Sequence, residues 1–477
     1  MKTCHTLYSE GPRHVLRDGA RLTNGFQALK FMKFIFAQDD SRLRHLHKLD
    51  LAMMHMSDAT VARLIARILA SPLLALDTLI IRYAEDLFSG GCASILRSAI
   101  GTLTILKHVA FLRAGHVAAA VLKSIPSKLE TVYLGIKAGR DCNVLSTVEP
   151  FSRTLETLVF KTGSLPPSHV LLPTLTQRQH FRHLRTLGIV LYDSVMDILG
   201  NPSFAEAFPN LTHLQLIPGP DELEYDDLWQ GSLSYITAQR EQVHAQRSAR
   251  RSDVPLWPSL VECSGELSGI FALGLDRTLS KLSVWSPIAE SALPVLSIVV
   301  QDTRPRHLRL SIENVTKKVG SMLRELHSQC PRRVDLDIKS SHIIDELSVQ
   351  YVDLDEDRPS PWETVQAALL ALLPLPVGLE ELHIYLTIPR WFEFPDRVLQ
   401  LEDCLQPWDQ SRPCDCSALF LPFKNRVSEE LPSLVLLCEA SYLDGREWRD
   451  LGQKDEIEDP YEDIPRSSDF DHYGDSD

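Results

Sequence analysis

A short apolar pattern, Leu-x-x-Leu-x-Leu, recurs along the chain at nearly regular intervals. Between Leu49 and Leu214 its second apolar position returns every 23 to 30 residues, and four further copies, of which two lack the first Leu, continue as far as Leu382. Repeats of about 20 to 50 residues are typical of proteins in which each unit buries its apolar face only by stacking on its neighbours. The copies are LHKLDL at 46–51, LDTLII at 76–81, LKHVAF at 106–111, LETVYL at 129–134, LETLVF at 155–160, LRTLGI at 184–189, LTHLQL at 211–216, LSKLSV at 279–284, PRHLRL at 305–310, PRRVDL at 331–336 and LEELHI at 379–384. We therefore expect a stack of similar units.

The segments between the copies have the helical period instead. In SDATVARLIARILAS the apolar residues Val61, Leu64, Ile65 and Ile68 follow the spacing of one helix face, and Arg63 falls opposite them. Strands therefore alternate with helices along the chain. This order predicts a parallel sheet, because parallel neighbours need a crossover connection between them.

The period, the strand pattern and the intervening helices resemble the longer leucine-rich repeats. The resemblance implies an α/β fold, a leucine-rich-repeat solenoid with a parallel curved sheet on its concave face and helices on its convex face. Such repeats usually place Asn or Cys three residues after the last Leu, whereas this chain has residues such as Ala84, Ala114 and Lys137 there. We therefore expect irregular repeats, with a degenerate one around Leu260.

Changes of composition divide the chain into regions. Terminal repeats are expected to be atypical, since one side of each must face water, and the acidic end is low in aliphatic residues. We predict an N-terminal helical cap over 1–42, leucine-rich repeats over 43–218, a charged insertion over 219–258, further repeats over 259–390 with an acidic insertion near 345–360, a C-terminal capping region over 391–451 and a disordered acidic tail over 452–477.

Charge and hydropathy exclude several classes of partner. The formal net charge of −14 argues against binding to nucleic acid or to anionic membranes, both of which require clustered Lys and Arg. The most apolar stretch, VQAALLALLPLPV, is interrupted by Pro374 and Pro376 and is shorter than the roughly 18 residues of a membrane span. Nine cysteines without a secretory leader are typical of reduced thiols. We therefore expect a cytoplasmic or nuclear protein.

Motifs for catalysis or cofactor binding are absent from the sequence. It contains no Gly-rich phosphate loop, no His-Glu-x-x-His and no Gly-x-Ser-x-Gly. Cys414 and Cys416, with Cys404 upstream, lack the paired spacing of a structural zinc site. We predict that the protein is not an enzyme and that it has no cofactor and no metal.

Binding is instead expected on the concave face. In each repeat the second and third apolar positions point into the core, so the residues that alternate with them face outward. Mixed charges with scattered aromatic residues suit a protein or peptide ligand, and Trp, Tyr and Arg most often dominate such interfaces. The candidate partner-binding residues are Arg82, Tyr133, Lys161, His213, Trp285, Arg309, Asp335, His383 and Tyr385. For any one of them, packing under a neighbouring segment is an equal alternative.

The first residues of the chain resemble the end of a domain that precedes the repeats in one family of proteins. The segment MKTCHTLYSEGPRHVLRDGARL is similar to the stretch that ends the F-box and leads into the repeats of fungal F-box/leucine-rich-repeat proteins. Thr3, Cys4, Leu7 and Tyr8 match its Thr-Cys-x-x-Leu-Tyr part, and the residues from Val15 to Gly19 match the Leu-Leu-Arg-Asp-Gly-like joint. In that family the F-box binds the Skp-type adaptor of a ubiquitin ligase.

The resemblance implies a function and leaves one alternative. We expect a non-catalytic substrate-recognition subunit of the F-box type, whose adaptor-binding module is truncated or lost. Skp-type adaptor binding is therefore expected only if an F-box is supplied. The alternative is a free-standing leucine-rich-repeat scaffold with no role in ubiquitin transfer.

Overall fold

The fold was examined in a computed structural model. It describes residues 11–38, 40–53, 59–137, 143–161, 181–190, 202–217, 257–312, 331–339, 379–389 and 417–443, with shorter stretches between 234 and 245, at 321–322 and between 369 and 375. Apart from the last residues of the final two strands, these belong to one compact unit composed of Met1–Ile388 and Trp408–Ser441. The predicted acidic insertion near 345–360 and the predicted tail at 452–477 lie outside the described residues.

The described strands form one open parallel sheet in which each strand pairs with the next one along the chain. This order confirms the prediction of an α/β fold with a parallel sheet. The strands are β1 (Ala20–Leu22), β2 (Lys48–Leu51), β3 (Thr78–Ile81), β4 (His108–Ala114), β5 (Thr131–Ile136), β6 (Thr157–Lys161), β7 (Thr186–Val190), β8 (His213–Ile217), β9 (Glu262–Gly265), β10 (Lys281–Ile288), β11 (His307–Ile312), β12 (Arg333–Lys339), β13 (Glu381–Pro389) and β14 (Val435–Leu443).

Helices connect successive strands and share one apolar core with the sheet. In the helix Ala59–Leu69, for example, Val61, Ile65 and Ile68 are buried as the periodicity predicts, whereas Arg63 is exposed. No helix in the described part of the chain is long and apolar enough to cross a membrane. The helices are α1 (Gly25–Ile35), α2 (Ala59–Leu69), α3 (Ala84–Ser89), α4 (Ala93–Ile100), α5 (His116–Lys123), α6 (Val144–Val148), α7 (Pro202–Glu206), α8 (Leu267–Leu273), α9 (Leu293–Thr303) and α10 (Ser417–Glu430).

The repeat positions stack directly on one another in the sheet. Leu158 pairs in register with Val132 on one side and Leu187 on the other, and all three side chains are fully buried. The same register runs from Leu49 in β2 to Leu382 in β13. The prediction that these positions point into the core is confirmed.

The degenerate repeat expected around Leu260 is present as β9. Cys263 takes the place of the second leucine, in register with Leu214 and Leu282, and Leu260 is fully buried in the place of the first. Burial raises the pKa of the Cys263 thiol to about 12. The thiol therefore stays protonated and fills the position of an aliphatic side chain.

A further strand precedes the first predicted repeat. β1 pairs with β2 in parallel, with Ala20 opposite Leu49. The chain enters β1 through Gly19, which has φ +93° and whose added Cβ would lie 2.7 Å from the Cβ of Lys48. Only glycine fits this turn without strain. The sequence interpretation of residues 1–42 as helical missed this strand.

A buried glutamate hydrogen-bonds to the next unit along the chain. At the positions where we expected departures from Asn or Cys, Ala84 and Ala114 are fully buried. The carboxylate of Glu85, the second residue of α3, accepts backbone N–H groups of the next unit from Gly115 at 2.9 Å, Ala118 at 3.0 Å and Val117 at 3.4 Å. These amides at the start of α5 have no partner inside the helix. The Glu85 carboxylate therefore supplies hydrogen bonds between neighbouring units.

The charged insertion over 219–258 includes helical residues between 234 and 245. Ile236 and Val243 are buried there. Arg240 donates to the carbonyl oxygen of Phe271 at 2.9 Å and forms an ion pair with Asp302. This part of the insertion is therefore attached to the helices α8 and α9.

Candidate functional site

The sheet has an open face, which we define as the side that carries the strand residues alternating with the buried repeat positions. Eight of the nine predicted residues lie at such positions within strands, and Arg82 follows β3 directly. Within the described residues, the open face has three parts with different chemistry. These are a paired cluster at β2–β3, an apolar middle and a polar network at β11–β13.

The polar network is centred on Asp335 in β12. Its carboxylate lies 2.8 Å from Nε2 of His307 in β11 and accepts hydrogen bonds from Arg333, at 3.0 Å from Nε and 3.4 Å from Nη2. Arg333 also pairs with Glu381 in β13, at 3.4 Å. Three adjacent strands thus contribute to one set of contacts around a carboxylate that is only 6% exposed.

The electrostatics of this network favour the ionised form of Asp335. Burial raises the pKa of the carboxyl group, but the hydrogen bonds from His307 and Arg333 and their positive charges outweigh burial and lower the pKa to about 2. The hydrogen bond to Asp335 in turn raises the pKa of the Arg333 guanidinium. Charge-assisted hydrogen bonds of this kind hold both partners in fixed orientations.

His383 extends the network to β13. Its Nδ1 lies 3.2 Å from Nη2 of Arg333 and 3.4 Å from the hydroxyl group of Tyr385. The same nitrogen lies 3.8 Å from the carboxylate of Asp335. Arg333, Asp335 and Tyr385 therefore surround one edge of the His383 ring.

Sequence reasoning found part of the network. Of the predicted residues, the structure brings together Asp335, His383 and Tyr385. It also adds His307, Arg333 and Glu381, which were not among the candidate partner-binding residues. All three were detectable in principle, because each lies two residues before a candidate residue on the same face of its strand.

The predicted residue Arg82 is engaged within the protein. Its guanidinium donates to both carboxylate oxygens of Asp50, at 3.0 to 3.2 Å, and both side chains are almost fully buried. Arg21 in β1 approaches the same carboxylate at 3.7 Å. Arg82 therefore joins β2 to β3 through this ion pair. Its buried side chain offers little surface to a partner.

The middle of the open face is apolar and contains small residues. Ala110, Tyr133, Val159 and Gly188 are successive register partners from β4 to β7. Tyr133 and Val159 are partly exposed, and an added Cβ at Gly188 would lie 2.9 Å from Cγ2 of Val159. Lys161, also partly exposed, is the last residue of β6. An aromatic ring and a valine beside small residues form a surface on which an apolar side chain can be buried.

The remaining predicted residues lie toward the far half of the sheet. Trp285 is partly exposed in β10, where the register with β11 shifts between Val284 and Ile288. Arg309 in β11 is exposed, at the register position next to Asp335.

His213 belongs to a contact that resembles a catalytic arrangement but differs in its hydrogen bonds. Its Nδ1 lies 2.8 Å from Oγ1 of Thr212, and its Nε2 lies 3.7 Å from Glu262. The Thr212 hydroxyl group donates its proton to the carbonyl oxygen of Arg185.

The described residues contain no group of three or more His, Cys, Asp or Glu side chains arranged to hold a metal ion. No known protein-family model matches the chain, and no curated protein matches it either. The function of the open face is therefore inferred from its own geometry.

Proposed function

We propose that the chain is a leucine-rich-repeat protein that binds a protein or peptide partner through the open face of its sheet. The continuous register of the repeat positions from β2 to β13 carries this proposal. It places the alternating side chains of all these strands on one surface. That surface combines an apolar middle around Tyr133 with oriented polar groups around Asp335, a combination that suits a polypeptide ligand.

In finer detail, we propose a substrate-recognition role of the F-box type. The support is the similarity of the first residues to the end of an F-box, of which the part from Val15 to Gly19 lies in the described chain. There Leu16 is buried and Gly19 forms the turn into β1, so that this segment leads directly into the first strand of the sheet. In this role the protein performs no chemistry itself and presents its partner to a ubiquitin ligase.

Binding by the open face is tested with three forms of the full chain. The wild type, Tyr133→Ala on the open face and Arg63→Ala on the outer side of α2 are each immobilised, and captured proteins are quantified by mass spectrometry. We expect specific partners to be lost with Tyr133→Ala and retained with Arg63→Ala. Equal capture by all three forms would contradict binding by the open face.

The ubiquitin role is tested separately. A form of the chain joined to a complete F-box is mixed with purified Skp-type adaptor, the remaining ligase subunits and a captured partner. Adaptor binding and transfer of ubiquitin to the partner support the finer proposal. Partner binding without ubiquitin transfer supports the alternative, a free-standing scaffold. Adaptor binding by the chain without a joined F-box would show that the adaptor uses another surface.

A further inference from the structure

Arg309 differs from Arg333, the arginine of the polar network. It is exposed on the open face, and in the described part of the chain it forms no ion pair or hydrogen bond. Its register neighbours are Ser283 in β10 and Asp335 in β12. The carboxylate of Asp335 is already held by His307 and Arg333. Among the described residues, the positive charge of Arg309 is therefore left without a partner.

A second observation at the same place is independent of this charge. Ser311 follows Arg309 by two residues on the same face of β11, between the core residues Leu310 and Ile312. It is only 5% exposed, yet its hydroxyl group has no hydrogen-bond partner among the described residues. Leaving a buried hydroxyl group unpaired is costly, and most such groups in proteins have a partner or an explanation.

We propose that Arg309 and Ser311 form a subsite for an anionic group, a carboxylate or a phosphoryl group, of a bound peptide. A guanidinium and a hydroxyl group are the donors that commonly hold such oxygens. They lie about 7 Å apart along the strand, within reach of one ligand side chain. The carboxylates of Asp335 and Glu381 already form ion pairs with Arg333, so they do not compete with a bound ligand for Arg309. This inference rests on the proposed binding function of the open face.

The test uses defined peptide probes. Degenerate fluorescein-labelled nonapeptides carry one fixed central residue, which is Glu, phosphoserine, Leu or Lys, and their binding to the full chain is measured by fluorescence anisotropy. We expect the Glu or phosphoserine pool to bind about tenfold more tightly than the Leu pool, and the Lys pool most weakly. The comparison of Glu with phosphoserine identifies which anionic group is preferred.

Variants assign the preference to the subsite. Arg309→Gln and Ser311→Ala are each expected to remove most of it, while Arg63→Gln retains it. Ser311→Ala removes an unpaired buried hydroxyl group, so its melting temperature should not fall.

Each contrary result has a defined meaning. An anionic preference that persists in Arg309→Gln, or a preference for Lys, overturns the subsite. Tight binding of the Leu pool alone, lost in Tyr133→Ala, also overturns the subsite but supports the proposed function. If no pool binds, both the subsite and peptide binding by the open face are wrong.

Discussion

Replacing Asp335 by Asn should destabilise the protein in a manner that depends on pH. The pKa of Asp335 is lowered from the ordinary value of 3.8 to about 2, and its side chain is 8% exposed. The difference corresponds to about 2 kcal/mol of folding free energy at neutral pH. Because the folded-state pKa is the lower one, this contribution is present above about pH 4 and is lost as the pH falls toward about 2. At pH 3 about 1 kcal/mol should remain.

The assay is urea unfolding of the wild type and Asp335→Asn at pH 7 and at pH 3. We expect the difference in unfolding free energy between them to be about 2 kcal/mol at pH 7 and about half of that at pH 3. Asp276→Asn is the matched control, since its side chain is 80% exposed. A difference below about 0.5 kcal/mol at pH 7, or one that does not change with pH, would refute the assigned contacts of Asp335.

Three further changes address the fold. Leu158→Ala should lower the unfolding free energy by about 2 to 5 kcal/mol in a urea titration, because it leaves a cavity between adjacent repeats; an unchanged midpoint would contradict the register. Glu85→Gln should cost about 2 kcal/mol by the same titration, and faster hydrogen exchange at the first amides of α5 would locate the loss. Arg82→Ala should cost about 3 kcal/mol because it leaves the buried carboxylate of Asp50 with only the more distant Arg21 as an ion-pair partner; thermal unfolding measures this, and a neutral result would show that the pair is not formed in solution.

Repeated strands were predictable because their signal is local. A strand with one buried face alternates every second residue, and this period is visible within the six residues of a copy such as LETLVF. The same reasoning explains why the sequence signal was weaker for two strands, β9 and β1. In β9 a cysteine and a glycine replace the leucines, and β1 has only Leu22 at a buried repeat position. Here pairing with a neighbouring strand determines the structure more than the residues themselves do.

The contacts of the open face were less predictable because they are not local. His307 and Asp335 are 28 residues apart, and Arg333 and His383 are 50 residues apart. Which residues meet depends on the register between strands and on the lengths of the connections. Alternation along one strand identifies the residues that share a face, but it does not identify their partners.

Arg82 and Arg309 show how much this distinction matters for function. Both are arginines on the open face by alternation, and the sequence treats them alike. Asp50, 32 residues before Arg82, accepts its hydrogen bonds, and both side chains are buried in this ion pair. Arg309 also has an aspartate, Asp335, at the neighbouring register position. That carboxylate is already bound by His307 and by Arg333, which lies on the same strand as Asp335. The competition for a single carboxylate therefore decides which cation joins strands and which is left exposed on the open face.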